Sequence, residues 1–485
     1  MTGRWAAGGL LFALLATANG AGYRYGVSDQ AFYIPVVAHA IDPAVFPRDA
    51  SLIDAQGRLM ITDEIIAAVT RLTSIPLDTV FLIGYLVSVV LIWIGLVMIG
   101  QRVYATPWAT VALAAAFTLR HRIPRTSANS FEPYFHPRML AFGLGLLAVA
   151  ALLRRHTWLT VLLVAATALT HVTTGLWFSI LIGVALMTLE PSLRRLGLVG
   201  AAAVAVIGAW ALIAGPLRTS MTQMDATWLQ AVASKDSLFA SQWPVWAWVA
   251  NLGLLAVLWW AYRRRQHTGQ ASVEDAALMW GATALVAFFL LTLPLVIARL
   301  AFPVQLQISR VFWLVDALAT VYLLSLLVKH RVARAVALVL VLVSLSRGTY
   351  IMLVERPDRA LFSVHLTESP WEDAMRWLSH QSVDAHVLAD PGHSWKYGTS
   401  VRVSAVRDVF LEDVKDSAIA IYSRDVAQRV VERAAAIGDF TTLTPDRARA
   451  LAAKYDLDYL VTEARLDLPQ KYENSQFRVY ALKTP

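Results

Sequence analysis

Eleven apolar stretches punctuate the first 350 residues of this chain, and most are near the length of a bilayer crossing. A helix needs roughly 20 apolar residues to span the hydrocarbon core. Within that core every backbone polar group must be satisfied inside the protein, so such segments fold as helices. They read as 5–18, 80–100, 108–119, 139–153, 158–170, 172–189, 197–215, 244–262, 276–297, 311–328 and 333–350. The stretches 108–119 and 158–170 are short, which is tolerated where other helices cover them. Trp5–Ala18, behind Arg4, also fits a signal peptide with a poor cleavage region at Ala18–Ala21. Either reading leaves Tyr23 onward outside the cytoplasm.

With 57% hydrophobic and 16% charged residues and a mean hydropathy of +0.54, the chain is not a soluble enzyme. The absence of cysteine excludes disulfides and thiolate metal sites. The formal charge of +8 resides in short clusters between the apolar blocks, a topology signal that argues against a nucleic-acid partner. With the N-terminus inside, the cytoplasmic loops carry twelve basic residues against Glu190, Glu274 and Asp275. The loop 23–79 reverses the balance, with four Arg against seven Asp and Glu. The expected fold is therefore mainly α, a polytopic transmembrane bundle of about eleven spans, N-in and C-out. Residues 1–362 form the bundle and its long first external loop; residues 363–485 form a small external α/β domain. That tail has helical patterns at Trp371–His380, Ser423–Ile437 and Pro445–Tyr455, the last behind a Thr444-Pro445 start signal. Its β-rich runs are His386–Ala389, Tyr459–Thr462 and Phe477–Leu482.

Four external segments hold residues capable of chemistry. In the first loop, Asp29 follows the membrane edge closely, where a carboxylate can accept a proton from an acceptor hydroxyl. The competing reading is that Ser28 or Asp29 caps a helix starting at Gln30. Asp42-Pro43 and Pro47-Arg48-Asp49 read as turns. The second segment, LRHRIPRTSANSFEPYFHPR, sets Arg120, His121, Arg122, Arg125, His136 and Arg138 on the side where positive charge is disfavoured. An anionic partner such as a phosphate suits the arginine fork, headgroup anchoring being the alternative. Within it, Glu132 and His136 are four residues apart and can share a metal or a proton, although Pro133 and Pro137 argue against a regular helix. Third, His171 among Thr170, Thr173 and Thr174 is a polar residue at a break between spans, either functional or a packing histidine. Fourth, Arg310 ends a short external loop and either binds a lipid phosphate or snorkels.

The stretches SDQAFYIPVVAHAIDPAVFPRD, EPYFHPRMLAFGLGLLAVAALLRR and QLQISRVFWLVDALA resemble bacterial membrane proteins related to the GT-C class of multi-spanning glycosyltransferases. The architecture of most of the chain resembles that class too, which includes protein O-mannosyltransferases and aminoarabinose transferases. The resemblance implies an enzyme of a bacterial inner membrane that takes a sugar from a polyprenyl-phosphate carrier on the external face. Asp29 matches the membrane-proximal Asp that serves as base or metal-site residue, and Arg310 the late arginine that handles the carrier phosphate. Glu132 or His136 would assist, and a divalent metal held by Asp29, Glu132 and His136 is the one cofactor in view. Gln30 stands where several of those families have a second acidic residue. The tail has ADPGHSWKYG loosely where oligosaccharyltransferase catalytic subunits carry Trp-Trp-Asp, which argues against glycosylation of asparagine sequons. The partners implied are a lipid-linked sugar donor, membrane lipid and an acceptor of unspecified kind. The rival readings are a transporter of lipid-linked or anionic solutes, which would call for two related halves that are not evident here, and a non-catalytic carrier-binding scaffold.

Overall fold

The computed structural model describes residues 2–57, 61–119, 123–215, 217–328 and 332–483. The chain divides into two compact units. One comprises Met1–Tyr23, Ile83–Gln223 and Asp236–Leu361; the other comprises Arg24–Leu82, Met224–Lys235 and Phe362–Pro485.

The first unit is a helix bundle. Among the described residues, seven helices are long and apolar enough to cross a membrane: Leu77–Val103, which begins in the second unit, Val172–Leu189, Leu193–Ile213, Val245–His267, Val273–Ile297, Ala301–Leu327 and Ala333–Glu355. The shorter apolar helices Trp5–Asn19, Pro107–Thr118, Pro137–Leu152 and Thr157–Thr170 coincide with the remaining stretches visible in the sequence. Ala301–Leu327 is interrupted by a 3-10 turn at Ile308–Arg310, entered through Gln307 in the left-handed region (φ 52°). Small residues set the closest approaches. A Cβ at Gly281 would lie 2.2 Å from the Leu181 carbonyl oxygen, so the Val273–Ile297 and Val172–Leu189 helices pack backbone to backbone there. The first helix is tied in by Asn19, whose amide donates to the Ser344 carbonyl (3.0 Å) and whose oxygen accepts from Arg347 (2.8 Å). At one end of the bundle Arg155 pairs with both Glu274 (2.6 Å) and Glu190 (3.2 Å), and Arg102 reaches Glu274 (3.3 Å). These are residues that charge counting assigned to one side of the membrane.

The second unit is built on a five-stranded mixed sheet in the order Asp408–Val409, His386–Leu388, Tyr459–Thr462, Arg478–Ala481, Gln470–Glu473. The first two pairings are parallel and the last two antiparallel. The Pro370–Ser379 helix buries Trp371, Ala374, Met375 and Leu378, the i, i+3, i+4, i+7 stripe of an amphipathic helix. They pack on Val387, Val409, Val461, Phe477 and Val479 from the sheet. Thr444 caps the Pro445–Tyr455 helix by accepting from the Arg447 amide (3.3 Å), with Pro445 in the first turn.

The first loop contributes three helices to this unit: Gln30–Ile41, Ala50–Gly57 and Thr62–Thr73. One residue that joins it to the tail is Asp49, which is fully buried. Its carboxylate accepts from Arg402 Nε (2.7 Å), Arg429 and the Val409 amide (3.2 Å), while its own amide donates to Asp408 (2.9 Å). Burial alone would raise the Asp49 carboxyl; the Arg402 and Arg429 guanidinium groups outweigh it and hold the group well below the usual carboxylate range. Arg402 in turn grips both oxygens of Asp416 (2.6 and 3.2 Å). Asp42, by contrast, does what a turn residue does, accepting from the Ala44 amide (2.9 Å).

Candidate functional site

In the bundle unit, residues 123–136 run without regular structure, with Pro124 and Pro133 inside the run and Pro137 opening the helix that follows. The segment is pinned by its own contacts. Asn251 donates to the Pro124 carbonyl (2.9 Å), Thr126 to that of Ile123 (3.0 Å), and the Trp313 indole to the Ser130 hydroxyl (3.1 Å). Arg125 and Ser127 both adopt positive φ (56° and 50°), which kinks the chain twice in three residues. The helix restarts at Pro137, with His136 as its N-cap: the imidazole Nδ1 accepts from the Arg138 amide at 3.0 Å.

His171 repeats the device. It separates the Thr157–Thr170 and Val172–Leu189 helices and caps the second, its Nδ1 meeting the Thr174 amide (3.3 Å) and hydroxyl (2.9 Å). A backbone amide can only donate, so each ring keeps Nδ1 unprotonated and carries its proton on Nε2. The two rings lie with centroids 6.2 Å apart. Arg138 and Arg310 stand close enough to His171 for their charges to bear on it. Arg138 is buried and paired with Glu132 (3.0 Å), which also accepts from Asn129 (3.3 Å). Arg310 is fixed from the turn that precedes the Val311–Leu327 helix, where Ser309 donates to the Ser237 carbonyl (3.1 Å).

Three segments far apart in sequence thus bring Glu132, His136, Arg138, His171 and Arg310 together. Two helix N-termini, two arginines and two neutral imidazoles supply donors and positive potential, against a single carboxylate. Such a group can receive an anion. Arg125 is not part of it, being turned to Asp236 on an exposed face. Arg120, His121 and Arg122 lie outside the described residues. Among the described residues no group of three or more His, Asp or Glu side chains is placed to hold a metal ion.

Asp29 belongs to the second unit. The helix does begin at Gln30, but Asp29 makes no side-chain capping bond; its carboxylate pairs with Lys415 at 2.8 Å, with Ser28 3.5 Å from the same ammonium. Lys235 adds a second positive charge near the pair; burial first, then the Lys415 charge, lowers its ammonium. Beside them Glu412 is fully buried, its Oε1 accepting from Ser394 (2.6 Å). Burial and then the Asp416 charge push the Glu412 carboxyl up to about 7. Sequence reasoning passed over Lys415, Lys235 and Glu412. The available signal was the run LEDVKDS, four charges in five residues amid an otherwise apolar part of the tail.

No protein-family model matches the chain, and no curated protein does. Thirteen chains of solved structures match it. One is the Archaeoglobus fulgidus oligosaccharyltransferase in its apo form, with a TM-score of 0.50 over 95% of this chain and 69% of that one, at 12% identity. At that identity the likeness is one of fold. The chain has a GT-C-like fold with several helices suited to crossing a membrane.

Proposed function

We propose that the protein is a membrane glycosyltransferase that moves a sugar from a polyprenyl-phosphate carrier to an acceptor hydroxyl on the external face. The observation that carries this reading is the grouping of Arg138 and Arg310 with His136 and His171, which cap two helix starts. A departing phosphate needs fixed donors aimed at developing negative charge, and in many enzymes such preorganised electrostatics supplies most of the rate enhancement. The fold shared with an oligosaccharyltransferase supports the same class. In this scheme Arg310 and the imidazole Nε2–H groups hold the carrier phosphate, and Glu132 fixes Arg138. Asp29, ion-paired with Lys415, takes the proton of the acceptor hydroxyl. No step is assigned to a metal.

Asp29→Asn tests the assignment. The amide keeps the size of the side chain and cannot accept a proton, so transfer from a polyprenyl-phosphate sugar should fall about 100-fold or more. Carrier binding should persist. Undiminished transfer by the folded variant would move the base elsewhere.

A further inference from the structure

The bundle unit also holds a cavity of about 520 Å³, apart from the polar group described above. One wall is a single stripe of the Pro107–Thr118 helix: Pro107, Val111, Ala114, Ala115 and Thr118. Those residues follow the helical repeat and rise about 16 Å along it. The facing wall is aromatic, formed by Trp5, Phe12 and Trp93. Trp93 lies against Gly8 and Gly9, where an added Cβ would come within 3.2 and 3.0 Å of the indole. The lining is therefore small on one side and flat on the other, which makes a slot.

Its two ends differ in chemistry. At Thr118 the hydroxyl is already engaged, with the Ala115 carbonyl (2.6 Å) and the Ser344 hydroxyl (2.5 Å), so a guest meets an apolar end. At the other end the exposed Arg334 guanidinium stands 5.5 Å from the ring centroid of Trp108, which also lines the slot. Indole and guanidinium side by side are the usual furniture of a headgroup region. A slot of hydrocarbon character with a cation at one mouth fits an amphiphile with one negative end.

We propose that this slot binds an acyl chain of an anionic membrane phospholipid, the chain lying along the Pro107–Thr118 helix and the phosphate at Arg334. The stripe has the length of one fatty-acyl chain, whereas a polyprenyl tail would overrun it. The site shares no residue with the phosphate group assigned to the sugar carrier.

The test uses the full-length protein purified in detergent, with phosphatidylglycerol as probe and native mass spectrometry as readout. Wild type should retain phosphatidylglycerol in preference to phosphatidylcholine. Ala115→Leu, which fills the slot from its narrow wall, should lose retention. Arg334→Gln alters an exposed position outside the packed wall, so its folding is not at issue, and it should abolish the preference between the two lipids. Addition of phosphatidylglycerol should raise the Tm of wild type and leave that of Ala115→Leu unmoved. Equal retention of both lipids by wild type would overturn the proposal. So would undiminished retention by Ala115→Leu, or a polyprenyl lipid released from the slot in place of a phospholipid.

Discussion

His136 and His171 sit at helix starts where Ser, Thr, Asp or Asn is the ordinary choice. An imidazole there does two things: it caps through Nδ1 and presents Nε2–H outward. Substitution separates the two. His136→Asn preserves a good cap and should leave the Tm nearly unchanged, while weakening binding of polyprenyl phosphate; His136→Ala should also lose about 1 kcal/mol of stability. If the asparagine variant bound polyprenyl phosphate as wild type does, the histidine would be a cap and nothing more. Asp49 is a different case. Replacing it by Asn leaves half-buried Arg429 without its carboxylate and buried Arg402 with Asp416 alone, at a cost of about 3–5 kcal/mol, whereas Asp42→Asn at an exposed turn should cost under about 0.5 kcal/mol; thermal unfolding of the two variants makes the comparison. Glu412 gives the second unit a pH dependence of definite sign. Folded, it holds its proton up to about 7; unfolded, a glutamate releases it near about 4.3. The folded state binds more protons between those values, so stability falls as pH rises through that window. Glu412→Gln removes a component of roughly 4 kcal/mol at pH above the window. Its Tm should therefore decline less than that of wild type between about pH 5 and 8, and parallel declines would refute the assignment.

The elements were legible where the chain's own period announces them. The apolar stretches, the Thr444-Pro445 helix start and the central strands His386–Leu388 and Tyr459–Thr462 are all visible as local patterns. What the sequence hid was short or polar. Asp408–Val409 is too brief to show an alternation, and Gln470–Glu473 lies at a sheet edge with exposed side chains, so it carries no apolar signal. Helix packing was hidden for another reason, since a glycine in an apolar run does not announce which neighbour it meets. Gly281→Ala tests that contact. Its methyl has no room against the Leu181 carbonyl, and the shift should cost about 1–3 kcal/mol. Gly253→Ala, with open space around it, should be neutral in the same detergent unfolding measurement.

Taken whole, the molecule places a unit boundary at Leu361, where composition changes, yet the second unit recruits Arg24–Leu82 and Met224–Lys235 as well. That recruitment depends on pairs such as Arg402 with Asp49, 353 residues apart, for which no local pattern exists. It also revises the prospects of the tail as an isolated domain. A fragment of residues 363–485 carries Arg402 and Arg429 without Asp49, and should unfold at a much lower temperature than the same unit in the full chain. Among candidate site residues, the sequence singled out Glu132, His136, Arg138, His171 and Arg310 one by one, by charge in an unexpected place. That they converge was not visible, because three segments far apart in sequence have to meet before it is so. The most direct test of the central claim is equilibrium binding of polyprenyl phosphate to the full-length protein and its Arg310→Ala variant. Loss of one charge-assisted contact to phosphate, about 1.5–3 kcal/mol, predicts affinity weaker by about tenfold or more, with Asp29→Asn binding as tightly as wild type. Equal affinity of wild type and Arg310→Ala, or no saturable binding by wild type, would contradict it.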